Sequence, residues 1–301
     1  MEADDGKCIN SQESTVGRRA GFNDYLELTK PRLSLMSVIT ALFGYFIAPA
    51  AKNLKLSDQL PTLIALFAGT ALAAAGAAVL NQLLERKEDA LMPRTAHRPI
   101  PQGKVSAREA LTFGISLSML GILCMALFTN ALATTLIILT LVLYLFVYTP
   151  MKKVTPWNTV IGAIPGALPP LIGWVVAERS LGAFGWLLFG ILFAWQIPHF
   201  MAICWMYRED YIKGGYEMLS KRDPIGERVA IQSLSYSIVL AILSLMPVLF
   251  LNTTALYWIP AIALNLTMIH LSYRFLRSND KEPLARKLFL TTLIFLPVFL
   301  A

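Results

Sequence analysis

Charged side chains are few in this chain. Asp, Glu, Lys and Arg make up 15% of its 301 residues, against about a quarter in an ordinary soluble domain. A water-soluble globular fold of this length is thereby excluded. The longest polar stretches run to about thirty residues, too short for a separate soluble domain. Cysteine is equally sparse. Cys8, Cys124 and Cys204 show no CxxC spacing, which removes a zinc or disulfide framework and leaves buried, thiol-bearing apolar residues. No cleavable signal with an apolar core comes before the first apolar run. Residues 1–23 hold Glu2, Asp4, Asp5 and Glu13, unlike an acid-poor mitochondrial transit peptide. The net charge of +7 has no soluble domain to sit on, so nucleic acid is not an expected partner.

Apolar runs dominate instead. The chain is 56% hydrophobic with mean hydropathy +0.58, and its runs approach the length needed to cross ~30 Å of hydrocarbon as a helix. Nine spans are expected, at 33–50, 61–84, 109–128, 131–148, 158–177, 184–206, 229–250, 255–273 and 287–301. Helices satisfy their own backbone groups in lipid, which excludes open sheets. Pro165, Pro169, Pro170 and Pro198 should kink their spans without breaking them. Gly69, Ala73, Ala74, Ala75, Gly76, Ala77 and Ala78 permit close helix approach in the second span. The expected fold is an all-α, polytopic membrane protein with about nine transmembrane helices around a central cavity. Residues 1–30 form a cytoplasmic N-terminal tail and 31–301 the membrane domain. Polar stretches follow the second and sixth spans, which points to two pseudo-repeated four-helix halves plus a final helix.

Positive charge fixes the orientation. With the N-terminus inside, 23 of the 26 Lys and Arg fall in inner segments, and only Lys52, Lys55 and Arg179 lie outside. This bias puts 81–108, 149–157 and 207–228 in the cytoplasm. A bacterial inner membrane is the expected location.

The chemistry is concentrated at the end of the second span. Asn81, Glu85 and Asp89 recur every four residues, so they drift by ~40° and rise ~6 Å per step along a helix. Glu85 and Asp89 can reach a common ion, and their hard oxygens suit Mg²⁺ shared with substrate phosphates. Charged helix ends are commonly just solvated, but Asn81 reaches back into the apolar span, where a polar side chain is costly without a partner. Arg94, Thr95 and Arg98 follow at once in a proline-stiffened loop, and the Arg fork suits phosphate. Lys152 and Lys153 occupy the next inner loop, where they fit either a leaving diphosphate or simple topology. Asn158 opens the following span. Asp210, beside Glu209 and Tyr211, is expected to complete a second metal position opposite Asp89. His199 in the sixth span, flanked by Trp195, Gln196 and Phe200, reads either as a hydrogen-bonded structural residue or as part of a polar cavity wall that orients a large planar substrate, acts on a proton or ligates iron. His97 borders the arginines and suits phosphate or propionate, whereas His270 is read as structural.

At these residues the chain resembles the UbiA-type intramembrane aromatic prenyltransferases. Asn81, Glu85 and Asp89 after span two and Asp210 after span six match that superfamily's two acidic motifs. Three blocks are similar to its heme-farnesylating branch: DALMPRTAHRPIPQG, YTPMKKVTPWNTVIGAIPGALPPLIGW, and WQIPHF leading to EDYIKGGYEML. The likeness runs from Lys30-Pro31-Arg32 almost to the C-terminus. Glu85 departs from the usual Asp, and the second motif lacks a second Asp. The resemblance implies transfer of the farnesyl group of farnesyl diphosphate to a vinyl group of heme B, giving heme O and diphosphate. Mg²⁺ would be held by Glu85, Asp89 and Asp210, and heme would be substrate. A heme A synthase is the partner it implies. The alternatives are a sister enzyme prenylating a quinone precursor or chlorophyllide, and a transporter or heme-handling membrane protein.

Overall fold

The computed structural model describes residues 20–52 and 55–300. Residues 1–19, which include Cys8 and most of the expected tail, lie outside the described residues, as do 53, 54 and 301.

Every regular element among the described residues is helical. A short helix α1 (Phe22–Leu28) leads into α2 (Pro31–Ile47) and then the long α3 (Leu56–Leu84). A six-residue helix α4 (Arg86–Leu91) continues from it. Next come α5 (Ala107–Phe128), α6 (Ala131–Met151), α7 (Asn158–Glu178) and α8 (Ala183–Met206). The short α9 (Arg208–Lys213) precedes α10 (Glu227–Leu249) and α11 (Ala255–Arg277), and α12 (Glu282–Leu300) ends the bundle. Seven of these, α3, α5, α6, α7, α8, α10 and α11, are long and apolar enough to cross a membrane. Seven rather than nine meet that measure: at the other two expected positions stand α2, only 17 residues long, and α12, which opens with Glu282, Arg286 and Lys287. Pro165, Pro169 and Pro170 lie inside α7 and Pro198 inside α8, and both helices run through them.

Local signals set the helix ends. Ser106 and Glu109 form a reciprocal capping box at the start of α5, with Glu109 N donating to Ser106 Oγ at 3.2 Å and Ser106 N to Glu109 Oε2 at 2.8 Å. Asn130 caps α6 by accepting from Ala133 N at 2.9 Å. Its amide also donates to Val175 O of α7, tying the hairpin to the centre of the bundle.

Lipid supplies no hydrophobic drive between helices, so close backbone approach must hold them. The small residues of α3 serve this purpose against α5: a Cβ on Gly121 would lie 2.7 Å from Ala73 N. On the other side α2 lies against α7, where a Cβ on Gly173 would collide with Ala41 O and one on Gly44 with Pro170 O. Polar pairs join α10 to α11, through Ser237 and Ser272 at 2.9 Å and through Asn265 Nδ2 to Ser244 Oγ at 3.0 Å. The neighbour pattern repeats. Helix α2 packs on α3 and α3 on α5, just as α7 packs on α8 and α8 on α10.

Residues 22–28, expected in the tail, form α1, Leu28 is buried, and Gln82 Nε2 of α3 donates to Leu28 O at 2.7 Å. This anchoring sets the position of Lys30, which belongs to the site described next.

Candidate active site

Asn81, Glu85 and Asp89 form one wall of a cavity at the end of α3. The helix is interrupted at Glu85, yet Glu85 N donates to Asn81 O at 2.9 Å and Asp89 N to Glu85 O at 2.8 Å. The four-residue stacking read from the sequence therefore survives the break. All three side chains are buried, and each has a partner. Asn81 Nδ2 donates to Thr149 Oγ1 at 3.0 Å, Lys152 Nζ to Glu85 Oε1 at 2.6 Å, and Arg98 to Asp89 Oδ2 at 2.6 Å.

The loop after α4 delivers the arginines. Thr95, 1% exposed, donates its hydroxyl to Asp89 O at 2.9 Å, and successive turns bond Thr95 N and Ala96 N to Met92 O. This folds the loop back so that Arg98 faces Asp89. Arg94 also lines the cavity, its guanidinium 5.0 Å from the ring centre of Tyr207 and 5.9 Å from that of Tyr211. Such contacts hold the side chain in place while leaving its donors free.

The facing wall comes from α6, which loosens into a π-helical turn over Leu143–Tyr148. The Thr149 hydroxyl donates to Tyr144 O at 2.9 Å across that turn. Wide turns of this kind recur at functional sites because they re-aim side chains. Here Tyr144 and Tyr148 point at the cavity, and Lys152 Nζ sits 4.6 Å from the Tyr148 ring centre. The loop after α8 closes the rim with Tyr211, Tyr216 and Met218, and Glu217 N donates to Lys152 O at 2.8 Å. Lys30 completes it from a left-handed backbone conformation (φ 45°) that reverses the chain just before Pro31 starts α2.

Four cations (Lys30, Arg94, Arg98, Lys152) and two carboxylates (Glu85, Asp89) thus line one space. Burial pushes the Asp89 carboxyl up, opposed by Arg98 and reinforced by Glu85. Burial, with Arg98 and Lys152 nearby, pushes the Lys30 ammonium down to about 7 against the pull of Glu85 and Asp89. At Lys152 burial acts downward, but the Glu85 charge and hydrogen bond outweigh it and the ammonium is held up. The cavity has a volume of about 120 Å³. Its polar, charged lining suits a headgroup such as diphosphate.

Other expected site residues lie elsewhere. Lys153 pairs outward with Glu88. Asp210, on α9, is not among the residues lining the cavity. Among the described residues no three His, Cys, Asp or Glu side chains form a metal-holding group. The donor set nevertheless fits Mg²⁺, which binds through one or two carboxylates and completes its shell with water and substrate phosphates. Asn158 is buried and structural in its contacts, donating to Thr155 O at 2.7 Å and Glu217 O at 3.0 Å, which fastens the two loops together. Gln196 faces α7, with Nε2 donating to Leu192 O at 3.1 Å. His97 and His270 are exposed.

Trp195 and His199 face α12. Trp195 Nε1 donates to Thr292 O at 3.0 Å, and its ring stacks on that of His199 with centroids 5.3 Å apart. His199 Nδ1 is 2.7 Å from Thr292 Oγ1, whose own proton goes to Phe289 O at 2.5 Å. The network therefore assigns the ring proton to Nδ1 and the lone pair to Nε2. Sequence reasoning missed Lys30, Tyr144, Tyr148 and Tyr216. A lysine flanking an inner span reads as a topology charge, and tyrosines inside apolar runs read as packing.

The sequence profile of the UbiA prenyltransferase family matches residues 37–294. The chain belongs to that family. It is similar to the protoheme IX farnesyltransferase of Opitutus terrae, with 44% identity over 287 residues covering 95% of each chain. Its fold matches a digeranylgeranylglyceryl phosphate synthase with TM-score 0.74, at 20% identity over 92% of this chain and 95% of that one. It also matches a UbiA homolog from Archaeoglobus fulgidus bound to GPP and Mg²⁺, with TM-score 0.62, at 18% identity over 92% and 98% of the two chains. As a UbiA prenyltransferase the protein is a membrane-embedded transferase. Asn81, Glu85, Asp89 and the loops carrying Arg94, Lys152 and Tyr216 all fall within the matched segment, and Lys30 lies just before it.

Proposed function

We propose that this protein transfers the farnesyl group of farnesyl diphosphate to a vinyl group of heme B, giving heme O and diphosphate. One observation carries the headgroup half of this reading: two buried carboxylates and four cations share one cavity at the end of α3. The likeness to the Opitutus terrae protoheme IX farnesyltransferase supports the acceptor half.

In this mechanism Arg94, Arg98 and Lys152 hold the diphosphate, with Lys30 beside them and Lys153 outside the cavity on Glu88. Arg98 and Lys152 shift from their carboxylates onto phosphate oxygens, and Glu85 and Asp89 become free to hold Mg²⁺, with the Asn81 amide adjacent. Bound there, Mg²⁺ supplies positive charge toward the diphosphate oxygens, in keeping with the ion in the Archaeoglobus fulgidus structure. The allylic C–O bond breaks with its electron pair going to the diphosphate, whose charge the cations stabilise. Tyr144 and Tyr148 wall the allylic cation from water. A vinyl carbon of the porphyrin bonds to the farnesyl carbon, and water then adds to the neighbouring carbon as hydroxyl, releasing one proton. Asp210, a carboxylate on α9, stands outside the immediate metal contacts in this reading.

In this reading heme approaches from the bilayer side. His199 and Trp195 on the α8–α12 seam are its proposed contacts, with Tyr211 at the rim and Gln196 and Asn158 supporting the walls. The positive-inside bias supports a cytoplasmic face for the site, and a bacterial inner membrane is the proposed location. A heme A synthase is the proposed recipient of the product.

The test is incubation of membranes containing the protein with farnesyl diphosphate and either heme B or 4-hydroxybenzoate, followed by mass spectrometry. Heme O with heme B is expected. A farnesylated benzoate alone would replace the acceptor, and absence of diphosphate release would reject the enzyme.

A further inference from the structure

Among the described residues lining the cavity, Tyr216 alone has a buried side-chain polar atom without a hydrogen-bond partner. Its residue is 2% exposed. An orphaned buried hydroxyl carries an uncompensated desolvation cost, so its position invites a ligand that supplies the missing acceptor.

The ring itself is tightly placed. Gly214 and Gly215 turn the chain, with Gly215 at φ 73°, and Tyr216 N donates back to Tyr211 O at 2.9 Å. Met92, Cys204 and Met218 pack around the ring, and the Tyr211 ring meets it edge-on at 6.0 Å. Lys152 Nζ stands 5.9 Å from its centre. The carboxylates within reach are committed elsewhere: Glu85 to Lys152 and Asp89 to Arg98. Burial, and then the charges of Glu85, Asp89 and Glu88, push the Tyr216 phenol up. It therefore remains a protonated donor. One competing acceptor exists, since Glu88 Oε2 is also buried without a partner.

We propose that the Tyr216 hydroxyl donates a hydrogen bond to the diphosphate of the prenyl substrate, beside Lys152. This rests on the diphosphate reading of the cavity and adds a neutral donor to its cations. As the allylic C–O bond breaks, the electron pair stays on the diphosphate and the phenol keeps its proton, stabilising the anion by hydrogen bonding alone. Tyr216 is on this view a catalytic residue that touches the leaving group.

The experiment compares purified parent and Tyr216→Phe, titrated calorimetrically with inorganic diphosphate and Mg²⁺, with the thermal midpoint of each measured alongside. Tyr216→Phe should bind diphosphate roughly 10- to 100-fold more weakly, the loss expected for a hydrogen bond to a charged group. Its thermal midpoint should be equal or higher, because an unsatisfied atom is gone. Affinity within about twofold of the parent overturns the assignment. So does a variant that fails to fold or loses thermal stability at unchanged affinity, which gives the hydroxyl to Glu88. A parent that binds no diphosphate overturns the reading of the cavity itself, and the Tyr216 proposal with it.

Discussion

Asp89 and Arg98 are nine residues apart in the chain and 2.6 Å apart in space, in a bond between a guanidinium and a carboxylate that is 1% exposed. The same arrangement recurs with Glu85 and Lys152, also at 2.6 Å. Each acid that would hold a cation is thus matched to a base that would hold an anion. Diphosphate and metal are expected to separate these pairs together, since an unpaired charge in a buried site is costly.

Asp89→Asn keeps the shape of the side chain and removes its charge. Heme O formation should fall roughly 100-fold or more, with the protein still inserted in the membrane. Mass spectrometry of product and a membrane-fraction blot check both halves. Normal product yield from the purified variant would remove Asp89 from the site.

Lys30 gives the site a pH dependence. Its ammonium is pushed down to about 7, so in the free protein it is charged below that pH and neutral above it. Above about 7, binding an anion at Lys30 must first take up a proton, and affinity falls as pH rises, by at most about tenfold per unit. Diphosphate affinity of the parent should therefore decline more steeply between about pH 6 and 8 than that of Lys30→Met. Equal slopes in the two titrations would show that Lys30 takes no part.

His199 offers a lone pair on Nε2 because Thr292 engages Nδ1. In His199→Ala, affinity for heme B should drop while affinity for diphosphate stays near the parent value. The Soret band of bound heme reports the first and calorimetry the second. Identical heme titrations would place the acceptor elsewhere.

Gly173 tests the packing. Adding one methyl in Gly173→Ala sets it against Ala41 O of α2, and overpacking of this kind costs about 1–3 kcal/mol. A lower thermal midpoint in detergent is expected. An unchanged midpoint would mean that α2 can slide on α7 without penalty.

Much of this was legible beforehand because the relevant signals are local. Asn81, Glu85 and Asp89 share a helix, so their spacing alone stacks them. The glycines and alanines of α3 announce a close contact. The residues proposed to face heme were harder to place, since a period in sequence does not say which neighbour a face meets. Trp195 and His199 turn toward Thr292 of α12, ninety-odd residues later, while Gln196, one residue along from Trp195, turns the other way toward α7. Asp210 was expected in the cavity because its loop mirrors the first, but Tyr211 and Tyr216 are the side chains that reach it.

Composition and apolar run length fixed a helical membrane protein, because lipid tolerates little else. Helical periodicity fixed the row of acids. Only the tertiary structure decided what they face. Lys30, Lys152 and Tyr216 come from three distant segments, and α1, the π-helical turn of α6 and the loop beyond α8 bring them to one cavity. No local spacing encodes that meeting, since it depends on how four helices pack around small residues.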